Sequence, residues 1–218
     1  MRRPAHGRAV ACALPAFWPS LGTLTVAAGC GRLALRDDLP FEPGAGLHCA
    51  CLPSTAGQTW ITLPVRSALP GTPTREITLA PTREWAARAM RAIENAFAET
   101  AYFEHYRCDI ARLLFGDFER LVDLDLAMLR FLLRSFGVSG EVLRASECAG
   151  GAQLARVTAL HGAVASRPAI EALLERGPGA RALLAPGRSA GRRRRGARPS
   201  QQRNLDRGAW FNGACGDR

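Results

Sequence analysis

Between Asp117 and Gly137 the chain carries two neighbouring apolar stripes at helical spacing. One holds Leu121, Leu124, Met128 and Leu132, the other Val122, Leu126, Leu129 and Leu133. A helix that is apolar on most of its circumference has no face to offer water, so it is stable only when covered on several sides. Gly137 then makes a natural stop, because glycine readily enters the left-handed conformation that closes a helix. Such a segment demands layers around it, and the flanking sequence supplies candidates for them.

Residues 60–147 read as a strand, a turn, a second strand, three helices and a return strand. Residues 59–65 alternate well enough for a strand, and residues 77–79 can pair with them across Pro70-Gly71-Thr72-Pro73. Thr82 can cap a helix that carries Trp85, Ala89, Ile93 and Phe97 at helical spacing. A second helical piece runs from Tyr102 to Gly116, and Val142 with Leu143 makes a short strand. Upstream, residues 10–14 suit a buried strand, Pro15 and Pro19 bound a turn, residues 20–28 suit a short helix and residues 32–35 a second strand. Residues 44–53 read as loop or irregular strand. Beyond Ser146 the signals weaken to helices over 154–160 and 169–174, the second started by Ser166 and Pro168, and a Gly177-Pro178-Gly179 turn into residues 180–184. The expected fold class is α/β: a mixed sheet with a buried helical layer in one domain, residues 1–185, followed by a flexible, basic, low-complexity C-terminal tail over 186–218.

Charge narrows the chemistry. All 29 basic residues are arginine, and the formal net charge is +10. The absence of lysine excludes a Schiff-base or pyridoxal-phosphate enzyme and a Walker-type phosphate loop, each of which needs a lysine amine. Residues 188–218 hold nine arginines against Asp206 and Asp217, so seven of the ten excess charges lie in the Gly/Ala/Pro-rich tail. A solvated basic tail attracts polyanions weakly and in a salt-dependent way, which does not amount to a specific nucleic-acid site.

Seven cysteines form an odd set without a regular framework. His48, Cys49 and Cys51 lie close together, yet zinc sites use four ligands in paired spacings, so scattered reduced thiols and no metal are expected. Residues 1–8 are basic and residues 9–29 largely apolar, and Ala27-Ala28-Gly29-Cys30 has the look of a lipoprotein cleavage site. Pro15, Pro19 and Gly22 interrupt that apolar run, which favours an in-fold strand and helix over a secretory signal. No transmembrane segment is expected, and the expected location is cytoplasmic.

The central block resembles the WbqC-like family of bacterial proteins, which is associated with O-antigen and other cell-surface polysaccharide gene clusters. The residues that carry the likeness are Trp60-Ile61-Thr62-Leu63-Pro64-Val65, the helix from Trp85, Tyr102-Phe103, Leu121-Val122-Asp123-Leu124-Asp125, and Ser146-Glu147. Pro15, Phe17, Pro19 and Gly22 fall in register with the family's N-terminal pattern, and Asp37-Asp38 with its paired acids. Weaker echoes follow at Gly177-Pro178-Gly179 and Trp210-Phe211-Asn212. Two departures stand out. Ala13-Leu14 replaces a family His-Gln pair, and His48-Cys49-Ala50-Cys51 replaces an Asn-Arg-Asn-Arg run. Imidazole, amide and guanidinium groups move protons and grip anions, whereas their replacements supply little of either.

The resemblance implies a transferase-type step on a nucleotide-linked or lipid-linked sugar in polysaccharide biosynthesis, with polysaccharide-biosynthesis enzymes as partners. It names no cofactor. Asp37 and Asp38 are the candidate catalytic residues, one acting as general base toward a sugar hydroxyl or amine or both holding a divalent cation; the same two acids can equally cap a turn. Candidate substrate-binding residues are Pro15, Phe17, His48, Trp60, Ser146 and Glu147. The lost His-Gln pair keeps a second reading open, in which the chain is a non-catalytic family member that binds or assembles with such enzymes. Nucleic-acid binding through the arginine tail ranks last.

Overall fold

Strand β1, Ala11–Ala13, is buried along its whole length and ends just before Pro15, which has no amide to continue a ladder. It opens the first layer of the computed structural model, which describes residues 10–43, 47–54, 57–66, 69–80, 84–148 and 168–184. Thr82, Ser166, the helix expected over 154–160 and the whole 186–218 segment lie outside the described residues. All described residues fall in one compact unit, Met1–Ala185.

Helix α1, Leu21–Cys30, starts at Ser20, whose hydroxyl accepts the Thr23 N–H at 3.3 Å. Gly31, at φ 68°, closes it and returns its N–H to the Ala27 carbonyl. Strand β2, Arg32–Leu35, follows and lies parallel to β1, so α1 is the crossover of a βαβ unit. Strand β3, Cys49–Ser54, and strand β4, Gly57–Thr62, form an antiparallel hairpin of their own. Helices α2, Glu84–Phe97, α3, Phe103–Leu114, and α4, Leu121–Ser135, come next. Strand β5, Glu141–Arg144, then pairs in parallel with the free side of β2, giving the order β1-β2-β5. Helix α5, Ala169–Arg176, runs into a 3-10 helix over Gly177–Leu184.

The chain is thus a layered α/β structure, but its parallel and antiparallel pairs sit in two separate sheets rather than one mixed sheet. The strand bearing Trp60 pairs with Cys49–Ser54, in the stretch expected to be loop or irregular strand. It meets the 77–79 segment only near its end, through a Val65–Leu79 bridge and the Arg66 N–H bond to the Thr78 carbonyl at 2.9 Å. Pro64 explains the break, since it has no N–H to extend a ladder. The other edge of the 77–79 segment bonds ahead of α4: Leu79 donates to the Glu119 carbonyl and receives company from Leu121, which donates to Ile77.

Helix α4 fills the centre. Leu121, Val122, Leu124, Met128 and Leu132 have no exposure, and Leu126, Leu129 and Leu133 have almost none, so both stripes are covered. All of these but Val122 share one core with Leu33 and Leu35 of β2, the Trp85–Ala89–Ile93–Phe97 stripe of α2, and Ile170, Leu173 and Leu174 of α5. Burying each such side chain fully is worth about 1.5–3 kcal/mol. Gly137, at φ 63°, ends the helix, and the Arg181 guanidinium donates to its carbonyl at 2.7 Å.

Leu124→Ala should therefore lower the unfolding free energy by about 2–5 kcal/mol in urea titration, since the cavity opens where layers meet on all sides.

Candidate functional site

The carboxyl ends of β1, β2 and β5 point the same way because the three strands are parallel, and their following loops meet at one edge. Ligands in α/β folds gather at this edge. Beyond β1, Leu14 emerges to 46% exposure, Pro15 is buried, and Phe17 is wholly buried with its N–H on the Leu47 carbonyl at 3.2 Å. The Phe17 ring stacks on Trp18, which in turn leans on Phe97 of α2. Phe17 is therefore a core side chain that holds the loop, and it presents no face to a substrate.

Beyond β2, the two acids part company. Asp37 is fully buried. One carboxylate oxygen accepts the Ser146 backbone N–H at 2.9 Å and the other accepts the Ser146 hydroxyl at 2.6 Å. The loop after β2 is thereby clasped to the 3-10 turn Ala145–Glu147 that follows β5. Asp38 is partly exposed and takes both arms of Arg36, at 2.7 and 2.8 Å. That bidentate hydrogen bonding holds its carboxyl below the ordinary carboxylate range and raises the guanidinium. Glu147 is exposed, 3.7 Å from Arg144, which also grips Asp123 at the start of α4.

His48 and Trp60 lie elsewhere. His48 leads into β3, its carbonyl accepting the Leu63 N–H, and its ring is buried against Phe41 with centroids 5.3 Å apart. Burial pushes its imidazole below the usual range, so it is neutral at pH 7. Trp60 stands on the outer face of the hairpin, opposite Cys51, and is 63% exposed. The structure thus joins Asp37 to Ser146 and sets Asp38 and Glu147 at the same edge, while Trp60 belongs to the other sheet. Among the described residues no group of three or more His, Cys, Asp or Glu side chains is placed to hold a metal. No described helix is long and apolar enough to cross a membrane.

One polar residue at this edge has no counterpart in the sequence-based candidates. Asp125 of α4 is 1% exposed, and neither of its oxygens meets a hydrogen-bond donor among the described residues. It borders a packing gap with no room for a water molecule, together with Leu14, Ala16 and Pro19 from the loop after β1, Thr23 of α1, Leu35 of β2 and Leu129 of α4. Burial raises its carboxyl well above the ordinary range. A larger open hollow of about 650 Å³ lies at the amino ends of β2 and β5, against Val138, Ser139 and Arg181. It lies away from these acids, and its arginine is already tied to the Gly137 carbonyl.

A model described as the WbqC-like protein family matches residues 15–187. The chain belongs to this family. Neither the comparison with curated proteins nor that with solved structures gives a match. The WbqC-like match takes in the loops after β1, β2 and β5 and all of α4, so the edge described above lies within the family's span.

Two expectations follow. Ser146→Ala removes a hydroxyl from a fully buried carboxylate and should cost about 1–3 kcal/mol in chemical denaturation. Asp125 keeps its proton in the folded chain above the pH, about 4, at which the unfolded chain releases it. The unfolded state then binds fewer protons, so Asp125 weakens the fold increasingly as pH rises from about 4 through its raised folded-state value. Asp125→Asn should remove that slope. The variant gains unfolding free energy over the wild type at pH 7–8, and the two converge near pH 3.5, as urea titrations across this range would record.

Proposed function

We propose that this WbqC-like protein serves bacterial cell-surface polysaccharide (O-antigen) biosynthesis in the cytoplasm, in a transferase-type step on a nucleotide-linked or lipid-linked sugar. The observation that carries this reading is the convergence of Asp38 with Arg36, Asp37 with Ser146, and Glu147 with Arg144 on the carboxyl edge of the parallel sheet. Asp38 is the more accessible of the two acids and is oriented by Arg36, whose hydrogen bonds hold its carboxyl below the ordinary range and must loosen before it can act as a general base. It would take the proton of an attacking sugar hydroxyl or amine. When Asp38 turns to substrate, the Arg36 guanidinium becomes available to a phosphate oxygen. Asp37 has both oxygens committed to Ser146 and would set the shape of the loop that presents its neighbour.

A second reading, a non-catalytic family member that binds sugar ligands or assembles with polysaccharide enzymes, is favoured by the same commitment of Asp37 and by the exposed, apolar Leu14 just beyond β1. Calorimetry and turnover assays on the full chain with a panel of UDP-sugars separate the two. Under the first reading Asp38→Asn lowers kcat by about 10²-fold or more with the sugar Kd nearly unchanged. Binding without turnover by the wild type would favour the second reading, and absence of binding to every sugar nucleotide would count against both.

A further inference from the structure

We infer that the outer face of the β3–β4 hairpin is a binding platform for a neutral glycan chain, one pyranose ring stacking on the Trp60 indole. The hairpin fixes the geometry. Its ladder runs without a break from Cys49↔Thr62 to Ser54↔Gly57, and Ala50, Leu52 and Ile61 point into the core. Side chains alternate along a strand, so Gln58, Trp60 and Thr62 of β4 share the opposite face with Cys51, the cross-strand partner of Trp60. Trp60 is 63% exposed there, the most exposed aromatic side chain among the described residues.

The neighbours of the indole decide the class of ligand. Gln58 and Thr62 are exposed, and among the described residues neither side chain is committed to a partner. An amide and a hydroxyl therefore flank the ring at either end of a row about 13 Å long, the span of five strand residues. A pyranose has the matching form, an apolar face of C–H groups bordered by hydroxyls that both donate and accept. The row has the length for two or three such rings in sequence.

Other occupants fit less well. A protein partner needs a contiguous apolar patch, whereas Trp60 stands between two polar side chains. A nucleic-acid strand also stacks on indoles, but its phosphates need cations, and the row carries none. Cys51 stays a neutral thiol, raised first by burial and then by the Glu171 carboxylate of α5, which also disfavours an anionic ligand on this side. Trp60 belongs to a different sheet from Asp38, so the glycan is held apart from the carboxyl edge. That the bound glycan is a cell-surface polysaccharide rests on the reading above; the stacking platform itself does not.

The test uses the full-length chain with Trp60→Ala, Trp60→Phe, Gln58→Ala and Thr62→Val, each first checked for cooperative unfolding. Calorimetry and tryptophan emission are followed with maltotriose, cellotriose and tri-N-acetylchitotriose, with UMP as the stacking control. At least one trisaccharide should bind, shifting wild-type emission to the blue. Trp60→Ala should lower that affinity at least about tenfold, and Trp60→Phe should lose the emission shift. Gln58→Ala and Thr62→Val should each weaken it by about two- to tenfold, and Asp38→Asn should leave it unchanged. If no trisaccharide binds, or binding survives Trp60→Ala, the platform is overturned; turnover of a UDP-sugar in the same preparation would leave the transferase reading standing. If trisaccharides bind through Trp60 while no UDP-sugar binds or reacts, the platform stands and the transferase reading falls. Binding of UMP at Trp60 in place of every trisaccharide overturns the platform.

Discussion

Helix α4 is out of water on nearly every side, and the rest of the structure is arranged around that demand. Sheet residues Leu33 and Leu35, the inner stripe of α2 and the inner face of α5 share its core. The loop that leads into α4 also bonds to the 77–79 segment through Leu79 and Leu121. Remove the apolar cover from any one direction and the others have little reason to stay in register. Within that packed centre the helix also carries a buried carboxyl, Asp125.

The carboxyl edge is built differently, by polar contacts between loops. Asp37 reaches across from the loop after β2 to both the backbone and the hydroxyl of Ser146 after β5. Arg144 reaches from β5 to Asp123 on α4. These contacts hold the loops after β2 and β5 to each other, and β5 to α4, while leaving Asp38 partly exposed and Glu147 at the surface. A rigid second rank of side chains under a more accessible first rank is how precise sites are held in place.

Much of this architecture was legible from residues alone, because periodicity and helix punctuation act locally. The strands around Cys12 and Leu33, the short helix between them and the three central helices all follow from burial spacing and from prolines and glycines at their ends. The hairpin was less legible. Cys49-Ala50-Cys51-Leu52-Pro53-Ser54 has few β-branched residues and includes a proline, although Ala50 and Leu52 do alternate inward as a half-buried strand should. At the site, the likeness to known sequences picked out Asp37 and Ser146 but could not reveal that they bind each other, which is a contact across 109 residues. Asp125 left a subtler trace: it falls between the two stripes, on the arc shared by Leu121, Leu129 and Leu132, where any residue must be buried. An acid at such a position is a signal that spacing arguments pass over when they count only apolar residues.

The opposite end of the sheet has a different character. There β2 and β5 begin almost in contact, with the Gly31 carbonyl accepting the Glu141 N–H at 3.0 Å and a Cβ at Gly140 falling 3.2 Å from that same carbonyl. Side chains have little room to grow at this seam, so sequence drift there is confined by the backbone itself. Novelty in this scaffold is therefore channelled toward the far rim, where longer or shorter connections between strands can be tried without disturbing how the strands first come together.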